Sequence, residues 1–184
     1  MEFEKLLIKV VKILDEIDAI YCLTGGYAVS CWGRPRATFD LDVVIKLPAE
    51  KISIFAPRLK SLSDAGYINE IDAKEKLKVG GEFNFIHPET GLKIDFWSAE
   101  NNSFSHQELK RRVAKKINNQ TVYFISPEDL ILSKLIWYQE SQSKRHLDDA
   151  QSVIEIQGDK LDFSYLNREA GKLNIGKLWQ EIKS

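Results

Sequence analysis

Apolar residues return every three or four positions at the start of the chain: Phe3, Leu6, Leu7, Val10, Leu14 and Ile17, with Glu, Lys and Asp between them. That spacing predicts an amphipathic helix over residues 2–18. The run 19–23 is short and apolar and reads as a buried strand, ending in the turn Thr24-Gly25-Gly26. Residues 27–32 read as a short helix stopped by Gly33. Residues 39–47 read as a strand closed by Pro48, and 49–63 as a helix with Gly66 beyond it. The charged stretch 70–80 shows no clear period. Two short strand-like runs, 82–87 and 92–97, flank Pro88-Glu89-Thr90-Gly91, which is a hairpin signal. Ser105-His106-Gln107-Glu108 matches a capping box, so a helix is expected from about His106. Residues 122–125 read as a strand. Ser126-Pro127-Glu128-Asp129 then opens a helix, with a cap, a proline in the first turn and acids near the positive end. The polar run 141–144 interrupts that helix, another follows to about Gln157, and the tail holds one or two more.

Strands gather before residue 100 and helices after 105. The expected class is α+β, a mixed β-sheet flanked by helices with a helical C-terminal part. The expected division is a core over 1–104 and a mainly helical part over 105–184. A chain of 184 residues with 43% hydrophobic content can bury one substantial core. A formal net charge of −1 does not announce a nucleic-acid binder by bulk charge, and leaves a local basic patch open. Cys22 and Cys31 show no paired-motif spacing and read as reduced thiols. The N-terminal segment is interleaved with charges, unlike a secretory leader or a spanning run of about 20 apolar residues, so the expectation is cytoplasmic, with no membrane.

The chemistry is concentrated in "RATFDLDVVI", where Asp40 and Asp42 interrupt an apolar strand. Strand side chains alternate, so both carboxylates share a face, about 7 Å apart. Two buried like charges cost several kcal/mol unless one takes a proton or a cation joins them. Mg²⁺ suits such a pair, taking one or two carboxylates together with waters and phosphate oxygens. The plainer alternative is a wet strand end, its acids solvated or paired with Arg34 and Arg36. Fourteen residues before Asp40 lies Gly26, in a strand–glycine turn–helix arrangement where free amides can hold phosphate. Asp95 interrupts "GLKIDFW" in the same way, on a hairpin strand that could pair beside residues 39–47. Three acids on one sheet face can grip two metal ions for in-line displacement at phosphorus.

The run "GGYAVSCWGRPRATFDLDVVI" resembles the signature of the DNA polymerase β-like nucleotidyltransferase superfamily: a glycine pair, a short helix, DxD on a strand and a later Asp on a neighbour. The RxTxDxD form, Arg36, Thr38, Asp40 and Asp42, looks most like the AbiEii-type branch, which contains toxin–antitoxin and phage-defence proteins. "ISPEDLILSKLIW" with "SKRHLDDA" is similar to that branch's helical motif, in which a Lys and a later acid complete the site. "LDFSYLNREAGKLNIGKLW" is similar to its closing helical segment. The chain departs from the commonest pattern in having Gly25-Gly26 for Gly-Ser, and His146 where an acid often follows the basic residue.

The resemblance implies a nucleotidyltransferase-type sheet. It also implies an enzyme that moves a nucleoside monophosphate from an NTP to a hydroxyl and releases pyrophosphate. Asp40, Asp42 and Asp95 would hold two Mg²⁺ (or Mn²⁺) ions, with Asp95 helping to deprotonate the acceptor. Gly25, Gly26, Arg36, Thr38, Lys134 and Asp149 would bind the nucleotide, Lys134 also serving catalysis. The later acid is Asp148 or Asp149. Helical spacing also lets Asp149 brace Arg145. The first expectation for the acceptor hydroxyl is RNA such as tRNA, in a toxin-like role that the basic run 110–116 favours, with a small molecule or a protein as the alternative and an antitoxin as a partner. A nucleotide-binding regulatory protein without turnover is the rival class.

Three further features carry two readings each. "KRRVAKK" (110–116) is either a solvated helix face or an RNA contact. His87, His106 and His146 lack ligand spacing and read as turn, cap and helix-surface residues. Trp32, Trp97, Trp137 and Trp179 read as packing, with Trp97 also a candidate to border a nucleotide.

Overall fold

The computed structural model describes residues 2–183, which divide into two compact units. The first comprises residues 2–27 and 38–125, and the second residues 28–37 and 126–183. Helix α1 (Glu2–Glu16) leads to β1 (Ile20–Leu23), α2 (Gly25–Trp32) and β2 (Asp40–Lys46). Next come α3 (Ile52–Lys60), β3 (Tyr67–Ile68), α4 (Glu70–Val79), β4 (Gly81–His87), β5 (Leu92–Ser98), α5 (Ser103–Lys110), β6 (Val113–Ile117) and β7 (Gln120–Phe124). Helices α6 (Pro127–Ser141), α7 (Lys144–Gln157), α8 (Phe163–Lys172) and α9 (Gly176–Ile182) complete the described chain. Among these, no helix is long and apolar enough to cross a membrane. Cys22 and Cys31 are not disulfide-linked.

The first unit is built on a seven-stranded mixed sheet in the order β3-β4-β5-β2-β1-β7-β6. Strand β2 lies at its centre, antiparallel to β1 and parallel to β5. One side of β2 and β5 is apolar. Leu41, Val43, Ile45, Ile94 and Phe96 are buried there, and Phe96 packs against the rings of Phe55 and Phe83. Each such side chain contributes about 1.5–3 kcal/mol when fully buried, so this layer fixes which face β2 turns to the core. The alternating residues Asp40, Asp42, Lys93 and Asp95 are thereby placed on the opposite face. The hairpin expected at Pro88–Gly91 joins β4 and β5, with Gly91 at φ 67°.

Between residues 103 and 124 the structure departs from the sequence reading. Helix α5 is capped by Asn102, whose side chain accepts from the amides of Phe104 and Ser105, so the expected box at Ser105 is not the cap. The basic run is not a helix face either. It leaves α5 at Lys110 and continues into β6, an edge strand paired antiparallel to β7. Asn118 and Asn119, at φ 46° and 66°, form the tight turn that directs this pairing. Because β6 and β7 belong to the sheet, the compact first unit runs to residue 125 and the helical part starts later than residue 105.

The second unit opens as expected: Ser126 accepts from the Asp129 amide and Pro127 occupies the first turn of α6. Gln142, at φ 56°, ends α6. Asp129 is fully buried, and the hydroxyls of Ser126 and Tyr165 both donate to it, tying α8 to α6. Trp179 is buried, its indole N–H donating to Asn167 at 2.7 Å.

Candidate functional site

The first unit gathers its acids on one sheet face through strand register. Asp42 stands directly beside Asp95, and Asp40 beside Lys93. Neighbouring strands are about 4.8 Å apart, so the Asp42 and Asp95 carboxylates meet as like charges. Their surroundings differ: Asp40 is exposed at the strand end, Asp42 half-buried, and Asp95 only 5% exposed. Thr38 donates its hydroxyl to the Asp40 carbonyl at 3.1 Å, which fixes the approach to β2 rather than a charged group. Among the described residues no three His, Cys, Asp or Glu side chains cluster as a ready metal cage. The expected triad is thus present as an adjacent pair, Asp42 and Asp95, with Asp40 at the rim.

Two neighbours on this face were not singled out in the sequence. Lys93 places its Nζ 2.8 Å from Asp95 Oδ2. That hydrogen bond, more than the surrounding acid charges, holds the lysine pKa above its ordinary value. Glu82, on β4, shares the face with Asp95 and Trp97. Burial first, and then the charge of and hydrogen bond with Asp95, raise the Glu82 carboxyl above the usual carboxylate range. Asp95 Oδ1 is buried, and no backbone amide or basic side chain donates to it. Strand alternation would have flagged Lys93, two positions before Asp95, whereas Glu82 reaches this face only through the register of β4 with β5.

Helix α2 starts at Gly25, at φ 59°, directly against this face. A Cβ there would fall 1.8 Å from Asp42 Oδ2, so only glycine allows the backbone to pass over that carboxylate. Together the bare backbone over Asp42 and the buried Asp95 oxygen to which no amide or basic side chain donates fit a divalent cation carrying phosphate. Gly25→Ala is expected to displace Asp42 and lower any turnover carried by this face about a hundredfold, the usual cost of an ångström-scale misplacement. Turnover assays on Gly25→Ala, with circular dichroism to confirm folding, check this. Activity within a few-fold of wild type would show that the close approach has no functional weight.

The second unit holds the remaining candidates. Asp149 is buried and receives Arg36 through Nε at 2.8 Å and a terminal nitrogen at 3.0 Å, a bidentate pair. Lys134, 7% exposed at its side chain, reaches Asp149 Oδ2 at 3.1 Å. Asp148 is exposed, which separates the two acids the sequence left open. Asp149 binds Arg36 and Lys134, whereas its expected i,i+4 neighbour Arg145 is exposed. Ser30 donates to the Arg36 carbonyl and accepts from its amide, fixing the loop that carries the arginine. Arg34 makes an exposed pair with Glu155 at 3.3 Å. His146 stacks on Trp137, its pKa lowered by burial and then by the Lys134 charge, so the imidazole is neutral near pH 7.

No family sequence profile matches the chain, and no curated protein matches it. Solved structures do. ANT(2")-Ia in complex with adenylyl-2"-tobramycin is similar at TM-score 0.63 and 14% identity, over 95% of this chain and 98% of that one. The lincosamide antibiotic adenylyltransferase LnuA, bound to lincomycin, is similar at TM-score 0.55 and 14% identity, over 83% and 97%. An antigenic nucleotidyltransferase-like protein from Paracoccidioides brasiliensis is similar at TM-score 0.53 and 20% identity, over 92% and 89%. The fold is therefore a nucleotidyltransferase fold.

Proposed function

We propose that this chain is a metal-dependent nucleotidyltransferase that moves a nucleoside monophosphate from an NTP to a hydroxyl. The observation that carries the reading is the Asp42–Asp95 pair beneath the Gly25 backbone. In this reading Asp40, Asp42 and Asp95 hold Mg²⁺ or Mn²⁺. A bound cation would neutralise the triphosphate and make its α-phosphorus easier to attack. The acceptor oxygen bonds to that phosphorus, the bond to the β-phosphate oxygen breaks, and pyrophosphate leaves. The hydroxyl proton passes to Asp95. Gly25 and Gly26 lie against the phosphates, Thr38 holds the strand that presents Asp40, and Arg36 and Lys134 bring positive charge to the nucleotide, with Asp149 orienting both.

For the acceptor, a small molecule is favoured over RNA. The sequence case for RNA was the basic run, and lysines on an exposed edge strand such as β6 have a sufficient role in blocking edge-to-edge pairing. Similarity along almost the full length of a protein solved with adenylyl-2"-tobramycin supports the same choice. The AbiEii-type assignment, with its antitoxin partner, rests on the Arg36–Thr38–Asp40–Asp42 pattern.

The test is incubation with each labelled NTP and Mg²⁺ in the presence of hydroxyl-bearing drugs, tRNA or protein, followed by mass spectrometry of the acceptors. Wild-type protein is expected to add one nucleotide and release pyrophosphate. Asp95→Asn is expected to slow transfer by roughly 10²–10⁴-fold, the range for loss of a proton acceptor. Wild-type turnover in Asp95→Asn would remove it as the base, and no transfer to any acceptor would sink the whole reading.

A further inference from the structure

The acid face carries a cation of its own. Parallel pairing of β2 with β5 sets Lys93 beside Asp40 and Asp95 beside Asp42. Lys93 and Asp95 are two positions apart, so they share the face, and their side chains meet at 2.8 Å. Three carboxyl groups, Asp42, Asp95 and Glu82, thus share this face with the Lys93 ammonium, which is bonded to Asp95. The two ends of that pair are unequal. Asp95 has an 8% exposed side chain, whereas the Lys93 side chain is 42% exposed on a flexible stem. No amide or basic side chain donates to the other, buried oxygen of Asp95, so the carboxylate retains capacity for a second positive partner.

We propose that Lys93 is a built-in competitor for the divalent cation: its ammonium holds one oxygen of Asp95 in the metal-free chain and opposes, by its charge, a metal taking the same carboxylate. This rests on the reading of the face as a metal–phosphate site, yet it concerns metal binding alone. A metal ion and the Lys93 ammonium are both held by the charge of Asp95, and the low exposure of that carboxylate makes their mutual repulsion strong. Lys93 therefore weakens metal binding while it stabilises the metal-free fold. It acts as a positioning residue, since its effect passes through Asp95.

The experiment measures Mn²⁺ binding to the full chain without nucleotide, by calorimetry and by the paramagnetic resonance of free Mn²⁺. Lys93→Met is expected to bind Mn²⁺ about fivefold to tenfold more tightly than wild type. It should also show a larger Mn²⁺-induced rise in melting temperature, because its metal-free form lacks a partner for Asp95. Lys93→Arg, which keeps the charge, is expected to retain wild-type affinity. If Lys93→Met fails to fold, Lys93→Gln replaces it, with the same tightening expected. Equal or weaker Mn²⁺ binding in the uncharged variant overturns the proposal, as does tightening in Lys93→Arg to the same extent. Nucleotide transfer is not read in this experiment. Absent transfer with tightened Mn²⁺ binding defeats the functional reading alone, and normal transfer with unchanged binding defeats only this one.

Discussion

On the proposed function, Asp42→Asn is expected to abolish nucleotide transfer, lowering turnover about a thousandfold or more, roughly 4 kcal/mol of transition-state stabilisation. The amide keeps the shape of the side chain under Gly25 and removes the charge that would hold the cation. Stability should move in the other direction or stay level. Asp42 stands beside Asp95 in register, and removing one of two adjacent negative charges relieves repulsion in the folded chain. A variant that melts at or above the wild-type temperature while losing turnover separates a site defect from a folding defect. Steady-state transfer kinetics paired with thermal unfolding give the measurement, and turnover within threefold of wild type would eliminate Asp42 as a metal ligand.

Asp149→Ala is expected to produce the largest loss of stability, about 3–5 kcal/mol. The substitution leaves the Lys134 ammonium buried and Arg36 without its bidentate partner. Much of the cost comes from taking this carboxylate away from a buried ammonium, because the charge has already been withdrawn from water. Asp149→Ala combined with Lys134→Met should therefore recover a large part of the loss. Asp148→Ala, at an exposed position on the same helix, should change stability by less than about 0.5 kcal/mol. Urea unfolding of these three variants decides the matter. A cost for Asp149→Ala no greater than that of Asp148→Ala would mean that the buried network does not hold the second unit together.

Local signals were legible wherever one short stretch determined the outcome. Ser126 and Pro127 set the start of α6 through their own cap and first-turn geometry, and the structure places that start where the sequence did. The hairpin over residues 81–98 and the strand of Asp40 and Asp42 were equally readable from turn residues and alternation. Residues 110–116 misled because their charges fit a helix face, while the deciding signal lay in Asn118-Asn119, a two-residue hairpin turn further along. The Ser105 box was overridden by Asn102, which offers two amides an acceptor three residues earlier.

The sequence by itself determined the fold class and the placement of Asp40, Asp42 and Asp95 on strands, because alternation acts over a few residues, whereas Gly25 and Gly26, read as a turn, begin α2. Register and partner choice act across tens of residues and needed the tertiary structure. Only the pairing of β2 with β5 made Asp42 and Asp95 neighbours and brought Lys93 beside Asp40. Only the pairing of β4 with β5 added Glu82 to the acid face. Only packing of the second unit distinguished Asp149 from Asp148, since a carboxylate 113 residues along the chain from Arg36 is chosen by burial and charge rather than by spacing.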